Sequence, residues 1–320
     1  MKKIISLIIA LSLALTAMFA FSSCKKEKDT IGIIQFGSHE SLNNCYDGII
    51  LGLKEGGINL DDYNVELLNS NFDPSVSQSQ ANTLVNKGAK VIIAIATPSA
   101  VAAANASDGK VPVVYCAVTD GTVMANYENI TGCSDIPNFE KQLKVVTAFM
   151  GKNDIKIGVL YSTEESSSPV QVSSLKEAAK AYTGMQVIDK AVADINTIDT
   201  AVNALINDGV DCFINLLDNT IVGKLETNIL PITNEKKIPV FGSEIEQVKL
   251  GCVASASIDY TNDVGMESGK AAAKILTGTN ASDIKPIIIS NPTNYYNSEA
   301  CEKFGLTVPT TITVTDVANG

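Results

Sequence analysis

Polar side chains follow directly after several short apolar runs of this sequence. Hydroxyl, amide, carboxylate and imidazole groups in such positions can hydrogen-bond the charged groups of a small molecule. Because Ser, Thr, Asp and Asn are also the preferred helix caps, ordinary capping explains any single loop better, but six such loops in a duplicated architecture favour a binding cleft. The candidate ligand contacts are Ser38, His39, Thr97, Ser99, Thr119, Asp120, Ser166, Ser167, Asp218, Asn219 and Glu244, together with Gln35 and Phe36 at the end of the first run.

The same positions lack the spacing that catalysis requires. The sequence contains no phosphate-cradling glycine motif, no nucleophile elbow and no closely spaced set of metal ligands. His39 is the only histidine, and no serine or cysteine is tied to it as a nucleophile. We therefore expect a binding protein rather than an enzyme, with no cofactor and no metal site.

Strand-like runs alternate with helical periods from residue 31 onward, which predicts parallel sheets flanked by helices. In such sheets ligands bind beyond the carboxyl ends of the strands, where the polar loops lie. The 320 residues are enough for two domains. The predicted strands are 31–36, 65–69, 91–96, 113–118 and 130–134 in the first half, and 156–161, 186–192, 211–217, 239–242 and 252–257 in the second.

Two stretches repeat at an offset of about 126 residues. Ile31 to Ile34 matches Ile157 to Leu160, and Lys110 to Val114 matches Lys237 to Phe241. The sequence thus predicts an α/β fold of two similar flavodoxin-like (Rossmann-like) parallel-sheet domains whose polar ends face each other across one cleft.

The first residues read as an export signal. A positive start at Lys2 and Lys3 precedes an apolar segment over 4–21, and small residues lead to Cys24. The segment resembles a bacterial lipoprotein signal, although Phe21 stands where leucine is usual; a transmembrane anchor is the alternative. We predict a signal peptide over 1–23, lipidation of Cys24, a tether over 24–30, and a location on the outer side of the cytoplasmic membrane.

The amino-acid composition limits the kinds of partner that the protein is expected to bind. The net charge is −11, all 24 basic residues are lysine, and no basic block suited to nucleic acid is present. The cysteines after the signal are scattered, mostly in or beside apolar runs, so we expect buried thiols rather than disulfides. We expect a monomer that binds a small molecule. The cysteines are Cys45, Cys116, Cys133, Cys212, Cys252 and Cys301.

A series of short stretches in a fixed order carries a family resemblance. They are Ile31 to Gln35 with His39, Ile95 to Pro98, Pro112 to Val114, Ala117 to Asp120, Gly132 to Asp135, Lys156 to Ser162, Asp218 to Thr220, Ile238 to Phe241 and Gly269 to Gly278. Together they resemble substrate-binding lipoproteins of ABC importers, in the family that includes tryptophan- and tyrosine-binding members. The sequence departs from the family around His39, where Ser38 precedes and Glu40 follows.

The resemblance implies a type 1 periplasmic binding protein with a three-strand hinge, and an ABC permease with its ATPase as partners. It implies one lobe of 31–136 plus 256–284, another of 137–255 plus 285–320, and a hinge at Asp135. A sensing domain for a membrane signalling partner is the alternative role.

The ligand that we expect is a small amino acid with an aromatic or other apolar side chain. Without arginine, its carboxylate would be held by hydroxyls and helix-start N–H groups, for which Thr97 and Ser99 are placed. Asp218 is the favoured partner of the ammonium group, with Asn219 and Glu244 as further acceptors. The absence of tryptophan counts against a sugar, although a sugar or nucleoside ligand stays open.

Overall fold

The structure, a computed structural model, describes residues 28–318, and within them two parallel sheets form the centres of two lobes. The first sheet has the order β11-β5-β4-β3-β1-β2, and all of its strand pairs are parallel. Its strands are β1 (Asp29–Gln35), β2 (Tyr63–Asn69), β3 (Val91–Ile95), β4 (Val113–Cys116), β5 (Ile130–Ser134) and β11 (Ile287–Ile288).

Helices cover both faces of the first sheet because its strands are apolar on both sides. Ile31 and Ile33 face one core, whereas Ile34 faces the other. The first of these cores lies under α1 (Glu40–Glu55) and α10 (Met266–Leu276), which one π-helical turn, Tyr260–Gly265, precedes. The second lies under α2 (Pro74–Asn86) and α3 (Thr97–Ser107).

The second sheet has the order β7-β6-β8-β9 and is also parallel. Its four strands therefore follow the same 2-1-3-4 order as the first four strands of the first sheet, which is the flavodoxin-like order. The repeated stretches fall on equivalent strands, β1 with β6 and β4 with β9, so the predicted duplication and fold class are confirmed. The strands are β6 (Lys156–Ser162), β7 (Gln186–Val192), β8 (Cys212–Ile214) and β9 (Val240–Phe241).

The tenth predicted strand lies beside β9 but takes its regular pairing from the C-terminal segment. The segment β10 (Ala254–Ser257) pairs antiparallel with β12 (Thr293–Tyr296), and β12 pairs with β13 (Thr315–Asp316). Two backbone hydrogen bonds, from Val253 N–H to Val240 O and from Gly242 N–H to Ala254 O, join this small sheet to β9. Sequence periodicity did not predict this antiparallel pairing because the partner strand lies in the returning C-terminal segment.

The remaining helices cover the second lobe. They are α4 (Phe139–Met150), α5 (Ser168–Ala179), α6 (Ile198–Asn207), α7 (Asn219–Val222), α8 (Leu230–Glu235), α9 (Ile245–Leu250) and α11 (Ser298–Phe304).

Helices α1 and α10 pack with their backbones in contact. A Cβ added at Gly48 would lie 2.2 Å from the carbonyl oxygen of Thr261, and one at Gly52 would lie 2.1 Å from that of Met266. Gly265 and Gly269 meet the same contact from the other side. This close packing fixes the start of α1 against the turn that begins at Tyr260.

The chain passes between the lobes three times. It leaves the first lobe after β5 and returns between β10 and Tyr260, which packs in the first lobe's core. The third passage follows Ile289, because β11 pairs with β5 and Ile289 packs in the same core. It therefore lies several residues after the predicted boundary at 284/285. The predicted tether also overlaps β1, which begins at Asp29.

The signal-peptide and Cys24 predictions lie outside the described residues. Over residues 28–318 no helix is long and apolar enough to cross a membrane. All six cysteines of this part of the chain are free and buried, as predicted.

Candidate functional site

A small cavity lies between the two lobes at the carboxyl ends of their strands. Its volume is about 20 Å³, room for about one water molecule, so a larger ligand requires the lobes to separate. The first lobe contributes His39, Ser41, Leu42, Ala117, Thr119, Asp135 and Tyr260, and the second contributes Leu217, Asp218, Asn219, Val222 and Glu244.

Loops after three strands of the first sheet place that lobe's side chains. His39 occupies the position before α1 with an extended backbone (φ −144°) and makes no side-chain cap. Ala117 follows β4 with φ +55°, a conformation that L-residues rarely adopt and that recurs at functional sites. Asp135 follows β5. The strand order reverses between β1 and β3, and the His39 loop lies at that point, the usual ligand position in such sheets.

Asp135 is the most under-satisfied carboxyl group of the cavity. Its Oδ2 accepts a hydrogen bond of 3.0 Å from the Tyr260 hydroxyl, whereas Oδ1 is buried without a partner. The pKa of Asp135 is raised to about 7, mainly by burial and further by the charge of Glu244. Hydrogen bonds from Tyr260 and Thr119 oppose this shift. The site therefore holds a carboxyl group with an unused acceptor oxygen.

Glu244 comes from the other lobe, at the position before α9. It is 2% exposed, its Oε1 accepts a hydrogen bond of 3.2 Å from Gln247 Nε2, and the Ser41 hydroxyl of the first lobe lies beside it. Burial raises its pKa to about 7. Burial, and then the charge of Glu244, likewise raise the pKa of neighbouring Glu246 to about 7.

Asp218 is fully buried and serves as the N-cap of α7. Its Oδ1 accepts from Ile221 N–H at 3.0 Å, and its Oδ2 accepts from Ser162 N–H at 2.6 Å and Ser168 Oγ at 2.7 Å. Burial raises its pKa, and these hydrogen bonds oppose the shift. The acceptor oxygens of Asp218 are thus occupied by donors of its own lobe. This is the ordinary capping role that the sequence analysis gave as the alternative to ligand contact.

Glu165 is a second buried carboxyl group near Asp218. It accepts from Asn219 Nδ2 at 3.0 Å and from Thr220 N–H at 3.1 Å. Burial, and then the charge of Asp218, raise its pKa well above the usual range. The charge of Asp218 thus disfavours ionisation of Glu165.

Two side-chain hydrogen bonds cross the cleft. His39 Nε2 lies 3.0 Å from Asn219 Oδ1, and Asn44 Nδ2 donates to Glu246 Oε1 at 2.8 Å. Because the Asn219 amide nitrogen donates to Glu165, its oxygen faces His39, and His39 Nε2 is the donor. Burial lowers the pKa of His39, which keeps the ring neutral at pH 7, and its Nδ1 is buried without a partner.

Five of the thirteen predicted contact residues line the cavity, and the others lie elsewhere. Thr97 and Ser99 are buried in α3, where Ser99 Oγ lies 3.3 Å from Ser77 Oγ of α2. Asp120 caps a short helix by accepting from Thr122 N–H. The remaining five are Gln35 and Phe36 in the first lobe's interior, Ser38 bonded to Asn69, exposed Ser166, and Ser167 at the start of α5.

Sequence reasoning missed Ser41 and Tyr260 as cavity residues and assigned Asp135 only to the hinge. Tyr260 follows β10 by two residues, and Asp135 follows β5 directly, so both stand where a strand ends. Their position after a strand end was the sequence signal that could have identified both as cavity residues. Along residues 28–318 no group of three or more His, Cys, Asp or Glu residues is arranged to hold a metal ion.

Comparison with known proteins shows to which family this chain belongs. Residues 30–318 match the family described as ABC transporter substrate binding protein. The chain belongs to this family. A curated relative, the tyrosine-binding protein of Clostridioides difficile (strain R20291), is 33% identical over 305 residues, which cover 88% of this chain and 86% of the relative.

Two solved structures resemble this substrate-binding protein along nearly its whole length. The ABC domain from Streptococcus pneumonia in complex with L-Trp has a TM-score of 0.83 at 30% identity, covering 89% of this chain and 97% of the other. The ligand-free, open form of a substrate-binding protein with adhesive properties from Clostridium difficile has a TM-score of 0.66 at 28% identity, covering 90% and 99%. The lobes of this chain are thus arranged more like those of the L-Trp complex.

Proposed function

We propose that this substrate-binding protein collects an amino acid with an aromatic or other apolar side chain and delivers it to an ABC permease and its ATPase. The observation that carries the ligand class is the chemistry of the cavity. Both lobes contribute carboxyl groups, Asp135 from one and Asp218 and Glu244 from the other, while no lysine is among its described lining residues. Such a site favours a cationic group, and the tyrosine-binding relative and the L-Trp complex point to an amino acid.

The ligand carboxylate requires donors other than arginine. The start of α1 supplies them, because a helix begins with unpaired N–H groups and the residue before this helix, His39, makes no side-chain cap. The hydroxyls of Ser41 and Thr119 lie beside Glu244 and Asp135, and because a hydroxyl hydrogen rotates, they can add further donors at the same edge of the cavity. This replaces the role that the sequence suggested for Thr97 and Ser99.

Cavity size supports a cycle of opening and closing. An amino acid is far larger than the 20 Å³ available, so entry separates the lobes and closure restores contacts such as the His39 to Asn219 bond. A ligand that touches both lobes favours the state in which both touch it. The permease would then recognise the closed, loaded form.

We further propose that the protein is exported, carries lipid on Cys24 and stays monomeric on the outer face of the membrane, without catalytic activity. The support is the sequence of residues 1–24 together with the family. Cys24→Ala should release the protein from the membrane fraction and abolish incorporation of labelled fatty acid, whereas Cys45→Ala should not. Retention of the Cys24→Ala protein in the membrane would argue for an uncleaved anchor.

The experiment for ligand class is a thermal-shift screen of the protein lacking residues 1–24. It compares the twenty amino acids with a panel of sugars and nucleosides, and calorimetry follows on each hit. We expect the largest shifts from aromatic amino acids. A shift from sugars or nucleosides with none from any amino acid would overturn the proposal. Conversion of a hit into product would show an enzyme.

A further inference from the structure

Two buried carboxyl groups from different lobes face the same cavity. Asp135 follows β5 in the first lobe and is 3% exposed, and Glu244 precedes α9 in the second and is 2% exposed. Each lines the cavity, and they are close enough for the charge of Glu244 to act on Asp135. A cation between them would contact both lobes at once.

The surroundings supply no positive charge to this pair. The groups that face it are the hydroxyls of Tyr260, Ser41 and Thr119, the Gln247 amide, the thiols of Cys45, Cys133 and Cys252, the Glu246 carboxyl group and, within the same cavity, His39 and Asp218. His39 is neutral at pH 7 because burial lowers its pKa. Lys249 Nζ lies 3.7 Å from Glu246 Oε1, and it pairs with that residue rather than with Asp135 or Glu244.

One acceptor atom of the pair is left unused. Asp135 Oδ1 is buried and has no hydrogen-bond partner among the described residues, and it belongs to a side chain that lines the cavity. An unpaired buried oxygen of this kind is costly unless a ligand donor satisfies it. Asp218, by contrast, already accepts three hydrogen bonds from its own lobe.

We propose that Asp135 and Glu244 bind the ammonium group of the ligand and release a proton to the solvent when it binds, so that uptake is linked to pH. This inference rests on the proposed function. The carboxyl O–H bond breaks and its proton passes to the buffer, while the ligand keeps its three N–H bonds as an ammonium. No electrons are exchanged.

Burial explains why the carboxyl groups lose protons, rather than gain them, when the ammonium group binds. In the closed arrangement of the lobes it raises the pKa of both carboxyl groups to about 7, so this state without ligand holds protons there in neutral and mildly acid solution. An ammonium stabilises the ionised forms and lowers both pKa values. Affinity should therefore be greatest above pH 8 and should fall about tenfold for each pH unit below 7 for each proton exchanged.

The test is isothermal calorimetry with L-tryptophan and L-tyrosine from pH 5.5 to 8.5, in phosphate and in Tris, whose different ionisation enthalpies report protons released. We expect release of about half a proton or more per ligand at pH 7. Asp135→Asn and Glu244→Gln should each lower affinity at pH 8 about tenfold or more and flatten the pH dependence. Asp108→Asn, at the exposed C-terminal end of α3 and away from the cavity, should leave both unchanged.

Ligand analogues test the wild-type protein without any variant. Tryptamine, which keeps the ammonium group, should release protons on binding, whereas indole-3-propionate, which lacks it, should bind weakly and release none. Binding of L-tryptophan with no proton release, and an unchanged pH dependence in both variants, would overturn the inference and leave the amino-acid site standing. Binding of no amino acid at pH 8.5 would overturn the proposed function and this inference with it.

Discussion

The His39 ring donates from Nε2 to Asn219 Oδ1 over 3.0 Å and thereby ties the start of α1 in one lobe to the start of α7 in the other. The same Asn219 donates to buried Glu165, which fixes the orientation of its amide. Closure of the lobes is thus linked by hydrogen bonds to a cluster of buried carboxyl groups.

Loss of this interlobe hydrogen bond should weaken ligand binding. A single bond contributes about 0.5 to 1.5 kcal/mol, so His39→Ala and Asn219→Ala should each lower affinity about two- to tenfold. Together they should cost less than the sum of the two, because the bond between His39 and Asn219 is lost in either variant, although Asn219→Ala also removes the bond to Glu165. Small-angle scattering should show a larger radius of gyration than in the wild type at equal ligand. Asn105→Ala, which removes a bond to Tyr127 within one lobe, should change neither quantity.

The buried carboxyl groups should make stability depend on pH. The folded-state pKa of Glu244, about 7, lies above the value of 4.5 for the exposed group, so the native state binds more protons than the unfolded state between these values. The free energy of unfolding should therefore fall as pH rises from about 4.5 to 7 and then level off. Glu244→Gln should remove this contribution and stabilise the protein by about 1 to 3 kcal/mol at pH 8.

Urea unfolding of both proteins at pH 5 and pH 8 measures the effect, since the difference between them cancels the contribution of His39, whose lowered pKa acts in the opposite direction. Equal stability of the two proteins at pH 8, or a lower stability of the variant there, would contradict the burial argument.

Strand positions, the duplicated parallel-sheet fold and the burial of the cysteines were predictable because apolar periodicity and the internal repeat encode them locally. Which polar loops form the site was only partly predictable. Thr97 begins α3, which packs beside α2 on one face of the first sheet, whereas the cavity lies beside α1 and α10 on the other. A sequence shows that a helix follows a strand but not which face that helix covers.

The roles of the acidic residues also needed three dimensions. Asp218 and Asp135 both follow strands, yet Asp218 meets three donors of its own lobe while Asp135 keeps one oxygen free. That difference arises from Ser162 and Ser168, which lie 50 or more residues from Asp218 along the chain. Local sequence cannot report it.

Ser99 should prove to be a packing residue. Its hydroxyl joins a chain of serines, because Ser77 donates to Ser70 and is then left to accept from Ser99. Ser99→Ala should lower the free energy of unfolding by about 1 kcal/mol while leaving ligand affinity within twofold of the wild type. A tenfold loss of affinity with unchanged stability would instead return this residue to the ligand site.

Gly52 should be indispensable for the contact between α1 and α10. In an exposed helix, replacing glycine by alanine stabilises by about 1 kcal/mol, but here the new Cβ would lie 2.1 Å from the Met266 carbonyl oxygen. Gly52→Ala should therefore destabilise by about 1 to 3 kcal/mol. Lys54→Ala, exposed on the same helix, should stay within about 0.5 kcal/mol of the wild type. Thermal and urea unfolding of the three proteins provide the comparison.

A crystal structure of the protein grown with L-tryptophan or L-tyrosine tests the central claim most directly. The amino acid should lie between the lobes with its ammonium nitrogen about 3 Å from oxygens of Asp135 and Glu244, and its carboxylate should face the start of α1. Electron density for the ligand outside this cavity, or a carboxylate turned toward Asp135 and Glu244, would contradict the account.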